Sequence, residues 1–260
     1  MSPIRPATRL LLGFSLLLAA CAHHDRRTDA LYQTSTINAL MEGVYDGTET
    51  IGELKRNGDF GIGTFHALDG EMIGLDGAFY QVKADGTVRD VADDARTPFA
   101  VVKFFSADKA FTISGSRDMA GLMRELDALL PTRNAFYGVR IEGTFPWIQT
   151  RSVGAQRTPY PGLAEAVKNQ ALFEFSHIRG TIIGFRSPDF VQGINLPGYH
   201  FHFISQDRKA GGHLLGCRIE TASVALDETG DFHLVLPRSD GFRRSDLGRD
   251  HRSELDTAER

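Results

Sequence analysis

The sequence has 260 residues, of which 42% are hydrophobic and 24% charged, with a formal net charge of -4. That composition supports a large core in one or two domains. Lysines and arginines are scattered along it, which excludes the concentrated basic surface that nucleic acid requires.

In chain order, Arg5 and Arg9 precede an apolar run from Leu10 to Ala20. The run is too short for a permanent membrane span, which needs roughly 20 apolar residues, and reads as an export signal. It ends Leu18-Ala19-Ala20-Cys21, which resembles a bacterial lipoprotein box and implies cleavage before Cys21 and lipid attachment there. Residues 1–21 are thus expected to be a signal peptide and 22–35 a polar tether, leaving the chain exported and lipid-anchored at the cell surface or in the periplasm. With Cys21 so used, only Cys217 remains, and no intramolecular disulfide is expected.

Ile37, Leu40, Met41 and Val44 have helical spacing behind Ser35 or Thr36 as N-cap, and Ile51 to Lys55 suggests another helical turn. Gly58 to Phe65, Glu71 to Leu75, Ala78 to Lys83 and Thr87 to Val91 read as strands of an antiparallel meander joined by Asp-Gly turns, with Ala100 to Phe105 and Ala110 to Ile113 following. Met119, Leu122, Met123, Leu126, Leu129 and Leu130 make the stripe of an amphipathic helix ended by Pro131. Phe136 to Phe145 is a strand, and Pro146 marks a seam between an N-terminal lobe, 36–146, and a C-terminal lobe, 147–260. Beyond it come Trp147 to Val153, a helix over Leu163 to Gln170, a long strand Phe173 to Phe185, and strands at 219–226 and 231–236. The tail after Pro237 is charged and is expected to add little to a core.

The richest stretch is Gly198 to Cys217. His200 and His202 lie two apart among aromatic and β-branched residues, so on a strand both imidazoles share one face. A polar segment ending Gly211-Gly212 then turns the chain, and His213 opens the return strand. Neutral imidazoles on an apolar strand need something to take up their lone pairs, and a metal ion does so. Three histidines without a fourth protein ligand nearby follow the catalytic-zinc pattern. Cys217 reads as a small buried hydrophobe outside the site. Spacing alone leaves the use of such a site open, an extracytoplasmic zinc hydrolase and a non-catalytic zinc-binding lipoprotein among the readings.

The segments GDFGIGTFHALDGEMIGLDGAFYQ, YGVRIEGTF, TRSV and HFH, in that order, resemble bacterial α-acetolactate decarboxylase from about Ile37 onward. The resemblance implies a mixed α+β protein with two β-sheet-dominated lobes, a few helices and one Zn2+ at the cleft. It also implies loss of CO2 from 2-acetolactate to give (R)-acetoin. Residue by residue, it maps the zinc ligands to His200, His202 and His213, the active-site acids to Glu71 and a tail glutamate, and a pocket-lining threonine to Thr64. Glu259 is the favoured tail residue and Glu254 the other. The carboxylate-holding arginine maps to Arg151, with Arg140 as second choice. Acetolactate is the expected small-molecule partner, and a homodimer is left open.

Overall fold

The structure is a computed structural model that describes residues 29–259; the expected signal peptide with Cys21 and the first half of the expected tether lie outside the described residues. The first half of the chain supplies β1 (Ala30–Thr34), α1 (Ile37–Met41), β2 (Glu49–Thr50), α2 (Ile51–Lys55), β3 (Phe60–Thr64), β4 (Glu71–Leu75), β5 (Ala78–Val82), β6 (Val88–Asp90), β7 (Arg96–Thr97) and β8 (Ala100–Lys103). The second supplies β9 (Lys109–Asp118), α3 (Met119–Leu129), β10 (Phe136–Ser152), α4 (Leu163–Ala166), β11 (Ala171–Ser187), β12 (Gly198–Ser205), β13 (Gly211–Thr229), β14 (Asp231–Val235), α5 (Asp240–Arg244) and α6 (Arg252–Glu259).

These strands make a mixed α+β protein dominated by two sheets. One has seven strands in the order β14-β1-β8-β3-β4-β5-β6, and the other five in the order β10-β11-β12-β13-β9. Because β10 also pairs with β13, strands β10 to β13 close into a ring. The ring's interior is an apolar cluster that includes Phe145, Phe203, Ile182 and Cys217. A second, larger cluster fills the space between the two sheets, with Ile62, Ile73, Phe99, Ile183 and Ile204 from both. Local sequence explains the short helices: Thr36 caps α1 by accepting from the Ala39 amide, and Thr50 and Glu53 form a reciprocal capping box on α2.

Three expectations are corrected. Pro146 is no seam, because β10 runs unbroken from Phe136 to Ser152, and β14 returns the late chain to the first sheet beside β1. Proline costs a strand one ladder hydrogen bond, and here long registers on both sides of β10 carry it through. The tether does not extend to residue 35, since Ala30–Thr34 is a strand held between β8 and β14. The charged tail is helical near its end, and Leu255 and Ala258 of α6 belong to the main core cluster.

Candidate active site

Register brings the site residues together. On β12, His200 and His202 face the same side, opposite Phe185 and Ile183 of β11. Across the hairpin His202 pairs with His213, and His213 pairs with Arg151 of β10, so the three stand in a row. A register shift between Gln149 and Thr150 puts Arg151 opposite His213. An added residue of this kind re-aims a side chain to the other face. Gly212, at φ +132 and with its Cα hydrogen toward the Arg151 carbonyl, makes the tight entry to His213 that a side chain would block. From the other sheet, Thr64 and Glu71 are directly opposite each other on β3 and β4. The Thr64 hydroxyl donates to the Gly70 carbonyl at 2.8 Å and fastens the intervening loop. Finally, α6 delivers Glu259 from the end of the chain.

Thr64, Glu71, Arg151, the three histidines and Glu259 line one cavity of about 30 Å³, with Leu40, Leu68, Phe99, Val153 and Leu163 as apolar walls. Each of the seven is at most 8% exposed. Glu259 Oε2 lies 3.4 Å from His200 Nε2, 3.7 Å from His213 Nδ1 and 3.5 Å from Arg151 Nη2. Glu71 Oε2 lies 3.6 Å from His202 Nε2.

The donor set fits a metal ion. One nitrogen from each histidine lies within 4.8 Å of the other two, and His200 Nε2 is 3.2 Å from His213 Nδ1. Around a tetrahedral ion with imidazole bonds of about 2.0–2.1 Å, adjacent ligand atoms are separated by roughly 3.3 Å. Two of the remaining ring nitrogens are already committed, while His200 Nδ1 is buried without a hydrogen-bond partner. His202 Nδ1 donates to the Met72 carbonyl at 2.8 Å, and His213 Nε2 donates to the Glu259 carbonyl at 3.1 Å. Such backbone acceptors fix the tautomer and turn the free lone pair of each ring inward. Glu259 Oε2 is buried with no hydrogen-bond donor, the condition of an oxygen placed for a cation.

Burial holds all three imidazoles neutral, as ligands must be. It pushes His200 down to about 3 and lowers His202 and His213 well below the usual histidine range, with the Arg151 charge adding to each. Burial likewise raises Glu71 to about 7, with the Glu259 charge adding to the rise and Arg151 opposing it. Glu259 is also raised by burial and pulled back by Arg151.

The two alternatives weighed from sequence sit elsewhere. Arg140 pairs with Asp76 and Glu142, and Glu254 pairs with Arg249 and His251. Cys217 is inside the ring with its Sγ 3.7 Å from Met119 Sδ, and burial pushes its thiol up to about 12. Sequence reasoning missed the Met72 carbonyl, which has no side-chain signal. It also missed His251, buried between Glu42 at 2.9 Å and Glu254 at 3.0 Å, where it ties α6 to the end of α1. The spacing of His251 and Glu254 on one helical face was its only trace.

Fold and site together define a protein dominated by two sheets, with a buried cluster of three imidazoles able to hold a metal ion, ringed by an arginine and two carboxyl groups. The chain belongs to the alpha-acetolactate decarboxylase family, whose model matches residues 31–249. It is 46% identical over 236 residues to the alpha-acetolactate decarboxylase of Methanosarcina mazei, covering 91% of this chain and 82% of that protein. With the Bacillus subtilis enzyme of that name it shares 40% over 236 residues, 90% of this chain and 92% of the other. The crystal structure of the B. subtilis strain 168 protein superposes with a TM-score of 0.87 at 40% identity, over 88% of this chain and 99% of that one. A Staphylococcus aureus protein described as similar to alpha-acetolactate decarboxylase superposes at 0.83 with 30% identity, over 88% and 98%.

Proposed function

We propose that the chain catalyses zinc-dependent decarboxylation of 2-acetolactate to (R)-acetoin and CO2. The observation that carries this reading is the convergence, in one buried cavity, of a carboxylate-binding arginine and a protonatable glutamate on a three-imidazole donor set. Acetolactate is a β-keto acid, so the electron pair left by CO2 flows into the adjacent carbonyl and no organic electron sink is needed. His200, His202 and His213 would hold the zinc ion, which would supply positive charge beside the developing negative charge.

The chain's own residues do the rest. Arg151 presents a planar fork that holds the substrate carboxylate and fixes the bond to be broken, lowering the entropic cost of orientation. Its apolar surroundings, Phe99, Val153 and Leu163, favour release of uncharged CO2. Glu71, raised to about 7, retains a proton near neutral pH and delivers it to the carbon that lost the carboxylate. Delivery from one side gives a single enantiomer, and Glu71 recovers the proton from solvent. Glu259 closes the cavity as the last residue of α6. The test is acetoin formed from acetolactate by the purified, zinc-loaded protein: a rate above the spontaneous background is expected, and none would refute the assignment.

The proposal includes export and a lipid anchor at Cys21, supported by Arg5, Arg9, the apolar run and the small residues before Cys21. Wild-type protein should partition with membranes and a Cys21→Ala variant should not; equal partition would remove the anchor.

A further inference from the structure

A second pocket, of about 340 Å³, adjoins the metal cavity. The ladder between β12 and β13 ends at the His202–His213 pair, and beyond it the pocket lies under α3. Met123, Tyr199 and Leu214 wall it, His200 and Glu259 contribute its back, and Arg186 lines it.

Arg186 is only 2% exposed. Its Nη1 donates to the Arg133 carbonyl, while its buried Nε finds no acceptor. Among the described residues no carboxylate is paired with it. The acids of this pocket are otherwise placed: Asp127 accepts from the Tyr199 hydroxyl at 2.9 Å and pairs with Arg133, and Asp189 is exposed. A guanidinium cannot shed its proton, and withdrawing it from water without a counter-charge is costly. Arg186 is thus a fixed, pre-positioned cation on a pocket that a small anion can enter. The walls of methionine, tyrosine and leucine suit an acid with a compact alkyl body better than an inorganic oxyanion.

We propose that Arg186 makes this pocket a second carboxylate site, for a small 2-hydroxy or 2-oxo monocarboxylate. Its occupant is either the substrate waiting outside the metal cavity or a separate small acid of the same chemistry. Only the first source rests on the decarboxylase reading. The volumes suit a waiting position: at about 340 Å³, against about 30 Å³ for the inner cavity, the outer pocket has room for the whole acid.

The test is calorimetric titration of zinc-loaded protein with 2-hydroxy-2-methylpropanoate, which carries the carboxylate and hydroxyl but has no ketone and cannot lose CO2 by this route. Wild-type protein is expected to bind two equivalents. Arg186→Met should weaken one of them at least ten-fold. Met123→Trp, which fills the pocket while keeping Arg186, should do the same and guards against misfolding of the first variant. A KM for acetolactate raised about ten-fold in Arg186→Met identifies the substrate as occupant; loss of the outer equivalent without that rise identifies a separate acid. Unchanged stoichiometry and affinity in both variants would overturn the site. Protein that forms no acetoin, yet loses the outer equivalent in these variants, would keep the site and refute the reaction instead.

Discussion

Replacing Leu255 by alanine tests whether the last helix is held in place by core packing. α6 has only eight residues, and isolated helices shorter than about 12 residues are marginal in water. Its docking rests on Leu255 and Ala258, both 3% exposed in the main cluster, and on His251 held between Glu42 and Glu254. A buried Leu→Ala change costs about 2–5 kcal/mol, and a terminal helix able to settle inward belongs near the lower end, about 2–3 kcal/mol. At 1.36 kcal/mol per factor of ten, this is roughly a 70-fold shift toward the undocked helix. Amide exchange across residues 252–259 should quicken by about that factor while exchange in β10 and β11 stays slow. Leu255→Asp, which would bury a carboxylate, should undock α6 altogether and bring acetoin formation down to the level of Glu259→Ala. Unchanged exchange in Leu255→Ala, or full turnover in Leu255→Asp, would refute the packing argument and the role given to the tail.

Two other predictions concern titratable groups. Glu71→Gln should keep its zinc and lower kcat about 10²–10⁴-fold, the usual contribution of a positioned acid; elemental analysis and initial rates check both parts. In chelator-treated protein, stability should fall as pH drops below 6.5, the ordinary histidine value, because the unfolded chain takes up protons that the three depressed imidazoles refuse. Glu71, raised from 4.5 to about 7, acts oppositely: folded protein holds its proton across that window, so its contribution is present below 4.5 and is lost as pH rises toward 7. Glu71→Gln should therefore steepen the acid-side fall in melting temperature between pH 7.5 and 5, and an unchanged slope would contradict the raised value.

Much of this was legible in the sequence. The alternation around His200 and His202 and the turn before His213 gave the donor set, because a strand's period of two leaves only one way to share a face. The Asp-Gly turns gave the meander of β3 to β6, although the match of Arg151 to the site needed the family resemblance. Spacing could not reveal the register shift at Gln149 and Thr150 that brings Arg151 opposite His213, since a bulge leaves no periodic trace. The Pro146 seam failed because pairing on both sides of β10 outweighed one missing donor. The tail helix was missed because only two of its apolar residues reach the core, and eight residues carry little periodicity. Arg186 gave no signal, since its burial depends on α3 and on strands distant in sequence.

The most direct test of the account is to titrate zinc into chelator-treated protein while following acetoin release from acetolactate. The account predicts negligible release without metal, a linear rise with added zinc, and a break at about one equivalent per chain, the capacity of a single three-histidine site. Undiminished acetoin formation in fully chelated protein, or none at any zinc level, would contradict it.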